Sequence, residues 1–273
     1  ADYAGAFSTR RLGALRAVLG LQVTGTILYA LGLALAGQWP LLSLGQLPFA
    51  VALAVTGVGG VLMLYRGLAL GPIAVVSPIG AAYVAVAVVL VVVVLGEQLS
   101  ATQVIAITAT FAGIVLTATD GRSLANALRR PLPGVWFALV AMASLGCWSA
   151  IMAYATRTQD GLALVLLQRV VSAAILLAIF AIRRDGPART VLMDLTTWSL
   201  VLVTGALDTL ANVLFVLGVQ SGSASVVATA SGAYPIVTAL LAIVLLRERL
   251  APNQYAGVVV LIAGLVGLGL AAS

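Results

Sequence analysis

The chain has 273 residues, 62% of them hydrophobic and 8% charged, with a mean hydropathy of +1.17. Soluble domains carry roughly 25% charged residues, so these charges are too few to wet a surface, and the chain reads as a polytopic membrane protein. The net charge of +6 comes from arginine alone, without lysine or histidine. Those arginines stand in short loops between apolar runs, which argues against a nucleic-acid face and for a bias toward one side of a membrane.

Runs of about 20 apolar residues suffice to cross ~30 Å of hydrocarbon as helices. They predict spans at 14–36, 47–68, 72–95, 101–119, 134–155, 162–182, 198–220, 224–246 and 254–272. Turn signals separate them: "GQWP" at 37–40, "GP" at 71–72, "RRPLPG" at 129–134, "RRDGP" at 183–187 and "SGS" at 221–223. Pro72 and Pro252 stand where a first helical position is expected, at no cost in hydrogen bonds. Ser100 with Gln103 reads as a capping box. Cys147, the sole cysteine, lies inside an apolar run, so no disulfide forms within the chain.

The chain repeats itself. At a constant offset of 151, residues 67–115 match 218–266 at 16 of 49 positions without a gap. Matches of alanine, valine or leucine carry little weight. Gly67/Gly218, Gly71/Gly222, Tyr83/Tyr234, Glu97/Glu248 and Gln103/Gln254 carry more, because uncommon residue types hold register through two helices and two loops. "WSAIMAYATR" at 148–157 also aligns with "ADYAGAFSTR" at 1–10, so residues 1–9 read as the second half of a truncated first helix. The expected fold is therefore an all-α integral membrane bundle of ten helices in two five-helix repeats, 1–121 and 134–273.

An odd number of helices per repeat sends the two repeats through the membrane in opposite directions. Loops after equivalent helices then emerge on opposite sides, and only one can carry cytoplasmic charge. This explains why Gly96-Glu97-Gln98 is answered by Arg247-Glu248-Arg249. Twelve arginines fall on one side; Arg157 and Arg169 belong to the other. The bias places the arginine-rich side in the cytoplasm and both termini outside.

The stretches "ALGPIAVVSPIGAAYVAVAVVLVVVVLGEQL" (69–99) and "SVVATASGAYPIVTALLAIVLLRERL" (225–250) resemble the fourth helix of each repeat in the drug/metabolite transporter superfamily, EamA type. "ALDTLANVLFVLGVQSGSASVV" (206–227) and "ADYAGAFSTRRLGALR" (1–16) are similar to the same family. The family commonly closes that helix with Gly-Glu-Arg/Lys-Leu; here Gln98 replaces the basic residue and Arg247 the glycine. The resemblance implies an inverted repeat and secondary transport, usually export of small metabolites or drugs, at the cytoplasmic membrane, by a monomer or homodimer. It implies no cofactor and no enzymatic activity. The Gly-x-Gly-Asp pattern of an intramembrane aspartyl protease is absent, as are Walker motifs. A lipid flippase or a passive facilitator on the same scaffold is the alternative.

Ionisable groups in mid-membrane cost roughly 2.5–3.5 kcal/mol or more, so each one asks for a reason. Thr204, Asp208 and Asn212 share a helix face, and Asp208 lies near the centre of its span. These three form the leading candidate for a substrate or proton site, against a hydrogen-bonded packing seam. Without histidine, proton antiport would run through a carboxylate, and Asp208 is the first choice. Asp2, in the truncated helix, could join it. Arg169 beside Gln168 contacts an anionic group or, the favoured account, snorkels to the surface. Tyr83 and Tyr234 are equivalent, and with Ser77 and Ser231 they are expected to line a cavity beside helices interrupted at Pro78 and Pro235. Trp148 is a cavity candidate or a membrane-belt residue. Glu97 and Glu248, at helix exits, suggest capping of the following helix start or loop anchoring ahead of gating. Glycines at 57, 59, 60, 113, 257, 264, 267 and 269 suggest close helix contact, within the chain or between protomers.

Overall fold

The computed structural model describes residues 12–37, 39–70, 76, 79–118, 133–183, 195–232 and 251–272. Every element among them is helical: α1 (Ala14–Leu35), a short 3-10 turn (Leu44–Gln46), α2 (Leu47–Leu70), α3 (Tyr83–Leu95), α4 (Ala101–Ala118), α5 (Pro133–Ala155), α6 (Gly161–Arg183), α7 (Leu195–Ser221), α8 (Ala224–Ser231) and α9 (Pro252–Ala272). Five of the helices are long and apolar enough to cross a membrane, and three shorter apolar helices accompany them. The span predicted at 72–95 is described as helix from Ile79 and breaks at Ala82, whose N–H donates to the Ile79 carbonyl at 3.2 Å. The span predicted at 224–246 is described only as α8 and the turn at Gly232; its remainder lies outside the described residues.

Local chemistry sets the helix ends. The Gln103 side chain accepts from the Ser100 N–H at 2.9 Å, and the Gln254 side chain accepts from the Ala251 N–H at the same distance. These two caps are equivalent at the offset of 151. Gly96 ends α3 in the left-handed region at φ 64, where a side chain would be strained. Asp160 Oδ1 accepts from the Leu162 N–H at 2.9 Å and opens α6.

The repeat is also visible in the packing. A Cβ on Gly67 would lie 3.1 Å from Val76, and one on Gly218 would lie 3.1 Å from Val227; both residues of one pair are offset from the other by 151. In the α4–α9 seam, Gly113 faces the Leu261 backbone and Gly264 faces the Thr110 backbone, again equivalent pairs. Ala106 meets Gly267 in the same seam, and the Asn253 side chain donates to the Leu116 carbonyl at 3.3 Å. As the number rises along α4 it falls along α9, so these equivalent helices run antiparallel. Reciprocal contacts of this kind are what a twofold axis produces. The glycines expected to ease close contact thus do so inside one chain in this seam.

A core shared by both halves gathers Tyr29 and Leu33 of α1, Leu53 of α2, Val91 of α3, Met152 of α5, Leu164 of α6 and Phe215 of α7. At one end of the bundle the Arg16 guanidinium lies over the Phe180 ring and that of Arg66 over Phe137. Both arginines belong to the set expected in the cytoplasm.

Candidate functional site

Three helices meet around one buried cation. Arg169 projects from α6 with a side chain only 2% exposed, and its Nη2 stands 2.7 Å from Asp208 Oδ2 on α7. Its Nη1 reaches Gln22 Oε1 on α1 at 3.4 Å. This overturns the snorkelling account: the guanidinium turns inward to a carboxylate instead of running to the surface. Asp208 is the more accessible partner, 33% exposed. Arg169 Nε is buried without a hydrogen-bond partner among the described residues.

Glycine makes room for this arrangement. Any Cβ on Gly25 of α1 would collide with Arg169 Nη1 and lie 2.9 Å from Thr209 Oγ1. Opposite it, a Cβ on Gly205 of α7 would collide with Thr24 Oγ1 and stand 3.2 Å from the Gly25 nitrogen. The absent side chains let α1 and α7 approach closely enough for the guanidinium to fill the space between them.

The polar residues continue beyond the ion pair. Asn212 Nδ2 donates to the Asp208 backbone carbonyl at 2.7 Å and to Asp208 Oδ2 at 3.3 Å. Gln168 Nε2 donates to Asn212 Oδ1 at 3.2 Å, and its Oε1 accepts from Trp148 Nε1 at 2.9 Å. Trp148 leans on Phe215 with ring centroids 5.5 Å apart and packs over Gly57 of α2. A line of hydrogen bonds therefore runs from α5 through α6 to α7. Asp208 Oδ2 takes both bonds made to the carboxylate, and Oδ1 makes none among the described residues.

Of the residues predicted from sequence, Asp208, Asn212, Arg169 and Trp148 come together here. Thr204 is buried on the same face of α7, but its hydroxyl donates to the Leu200 carbonyl at 2.7 Å, a bond within its own helix. Tyr83 and Ser231 form a separate pair, 3.3 Å between their oxygens, where α3 meets α8. Asp2, Ser77, Tyr234 and Glu248 lie outside the described residues. Gln22 was missed, although an amide in the middle of an apolar helix is itself a signal.

Glu97 caps a helix, but not the one that follows it. Its Oε2 accepts from the Ser225 N–H at 3.0 Å and from the Ser225 hydroxyl at 2.6 Å, at the start of α8 in the other repeat. The helix that follows has its own cap from Ser100 and Gln103. Partial burial alone would raise the Glu97 pKa; hydrogen bonds from Ser223, Ser225 and the Ala224 amide together outweigh it and hold the carboxyl below its ordinary range.

A cavity of about 490 Å³ lies elsewhere, between α2, α3 and α5. Its lining is apolar, including Phe49, Leu90, Cys147 and Ile151.

Five described helices long and apolar enough to cross a membrane, packed around a charged junction, define a multi-pass membrane protein. The EamA-like transporter family matches residues 4–119 and 132–270, once in each half, and the chain belongs to that family. One solved crystal structure is similar over 99% of this chain and 95% of its own, with a TM-score of 0.72 and 17% identity, a likeness of fold alone. No curated protein matches the chain.

Proposed function

We propose that the protein is a secondary active transporter of ten helices in two inverted repeats, exporting small metabolites or drugs across the cytoplasmic membrane by proton antiport through Asp208. The Arg169–Asp208 pair between α6 and α7, with its arginine buried and its aspartate partly open, is the observation that carries this reading. Burying the arginine brings a desolvation penalty that apolar packing would avoid. Among the described residues Asp208 Oδ2 takes both bonds and Oδ1 none, so a proton and a donor group on the substrate compete for one oxygen. Competition for a shared site is the condition for antiport. The test is counterflow in proteoliposomes with a panel of amino acids, cationic drugs and sugar phosphates, with and without a pH gradient. Wild-type transport should respond to the gradient and Asp208→Asn transport should not; a pH response kept in the variant overturns the assignment.

A second reading, a lipid flippase, is supported by the apolar cavity between α2, α3 and α5. Reconstituted protein would then scramble or translocate labelled phospholipid, and variants that fill the cavity, such as Ala52→Phe, would block it. A passive facilitator would transport without regard to the gradient.

A further inference from the structure

We propose that Gln168 is the positioning residue that gives Asp208 Oδ2 its second donor and so, together with Arg169, leaves Oδ1 for a proton, an inference resting on the proton-coupled reading above. An indole N–H can only donate, so Gln168 must turn its carbonyl oxygen to Trp148. Its amino group then faces Asn212, which must answer with its own carbonyl oxygen. That leaves the Asn212 amino group facing Asp208, where its two N–H bonds go to the backbone carbonyl and to Oδ2. Reversing either amide sets donor against donor or acceptor against acceptor.

The start of the line is firmly seated. Trp148 is held between Phe215 and Gly57, where a Cβ would stand 3.1 Å from indole Cδ1. Gln168 is 5% exposed, so water does not easily replace its partners. At the far end, Arg169 Nη2 donates to the same Oδ2. Two donors on one oxygen leave Oδ1 as the place for the proton, and Oδ2 as the carbonyl oxygen of the protonated acid. Among the described residues Gln168 makes no hydrogen bond to Asp208; it acts through Asn212.

Infrared difference spectroscopy on the purified protein in lipid nanodiscs, stepped between neutral and acid buffer, tests this without a known substrate. The carboxyl band of Asp208 is the one that Asp208→Asn lacks. Gln168→Met removes the donor that orients the Asn212 amide and so weakens the Asn212 bond to Oδ2. The Asp208 band should then shift to higher frequency, identified against the Asp208→Asn/Gln168→Met double variant. Gln168→Glu is the control: its buried carboxyl, protonated in the acid buffer where the band is read, accepts from Trp148 and donates to Asn212 as the amide does, and should leave the band in place. Should the Met variant fail to fold, Gln168→Leu decides. A band unmoved in the Met and Leu variants overturns the role of Gln168 and leaves the proton site standing. If no carboxyl band depends on Asp208, both the proton reading and this inference fall.

Discussion

The α4–α9 seam and the α1–α6–α7 junction solve one packing problem in two ways. In each, helices from the two halves of the chain approach through a pair of glycines, Gly113 with Gly264 in the seam and Gly25 with Gly205 in the junction. The seam brings no charge among the described residues: Leu261 and Ala106 pack into it, the Thr110 hydroxyl bonds its own helix at the Ala106 carbonyl, and Asn253 reaches the Leu116 carbonyl. The junction adds a guanidinium, a carboxylate and a glutamine. Close approach of apolar helices plainly does not require charge. The charges in the junction therefore answer to something other than packing, and that difference can be tested by breaking each region in turn.

The largest effect is expected at the ion pair. Asp208→Leu leaves a buried arginine that cannot shed its proton, at a cost of about 3–5 kcal/mol in stability. Arg169→Met/Asp208→Leu removes both charges and should recover most of that loss, since apolar groups of similar size often match a buried pair. Thermal unfolding in detergent measures both, and transport in proteoliposomes should remain absent from the double variant. A double variant as unstable as the single one would mean that the pair holds the bundle together.

The seam should respond in the opposite sense, with stability lost and transport kept. In Gly264→Ala the new Cβ would lie 2.5 Å from the Thr110 nitrogen and 2.9 Å from its Cα, and backbone atoms cannot turn aside. The helices must separate, at about 1–3 kcal/mol by analogy with overpacked cores. Gly59→Ala, where nothing lies within 4 Å, is the control and should leave stability unchanged or slightly raised. Loss of coupling in Gly264→Ala would show that the seam moves during transport.

Much of this contrast could be read before the fold was known. The spans, the repeat and its offset follow from hydropathy and from a few uncommon residues, because lipid imposes a length on each helix and duplication preserves register. Asp208, Asn212 and Trp148 stand out by the same reasoning about polar groups in hydrocarbon. The partners do not. Which carboxylate Arg169 meets depends on how α6 crosses α7, and side-chain length alone favoured the surface, wrongly. Gly25 and Gly205 carry no periodic signal that separates them from the other glycines of the chain. The cap made by Glu97 joins residues 128 apart, so no local pattern announces it.

The smallest effect is expected at Glu97, a carboxylate that bridges the halves. It faces hydroxyls and amides instead of a cation, at the edge of the membrane and partly open to water. Glu97→Gln keeps an acceptor for Ser225 but loses the charge at the α8 N-terminus, and solvent screening limits the loss to about 1 kcal/mol or less. Its sign with pH is fixed by the direction of the shift. The folded protein holds this carboxyl below its ordinary range, so its contribution is complete above that range and disappears as pH falls through the lowered value. Melting curves of wild type and Glu97→Gln should thus be separated at neutral pH and converge only in strong acid. Convergence already in mildly acid buffer would mean that the carboxylate is not held by α8. The α3–α8 contact would then rest on the Tyr83–Ser231 hydrogen bond and on Val84 packed against Gly232.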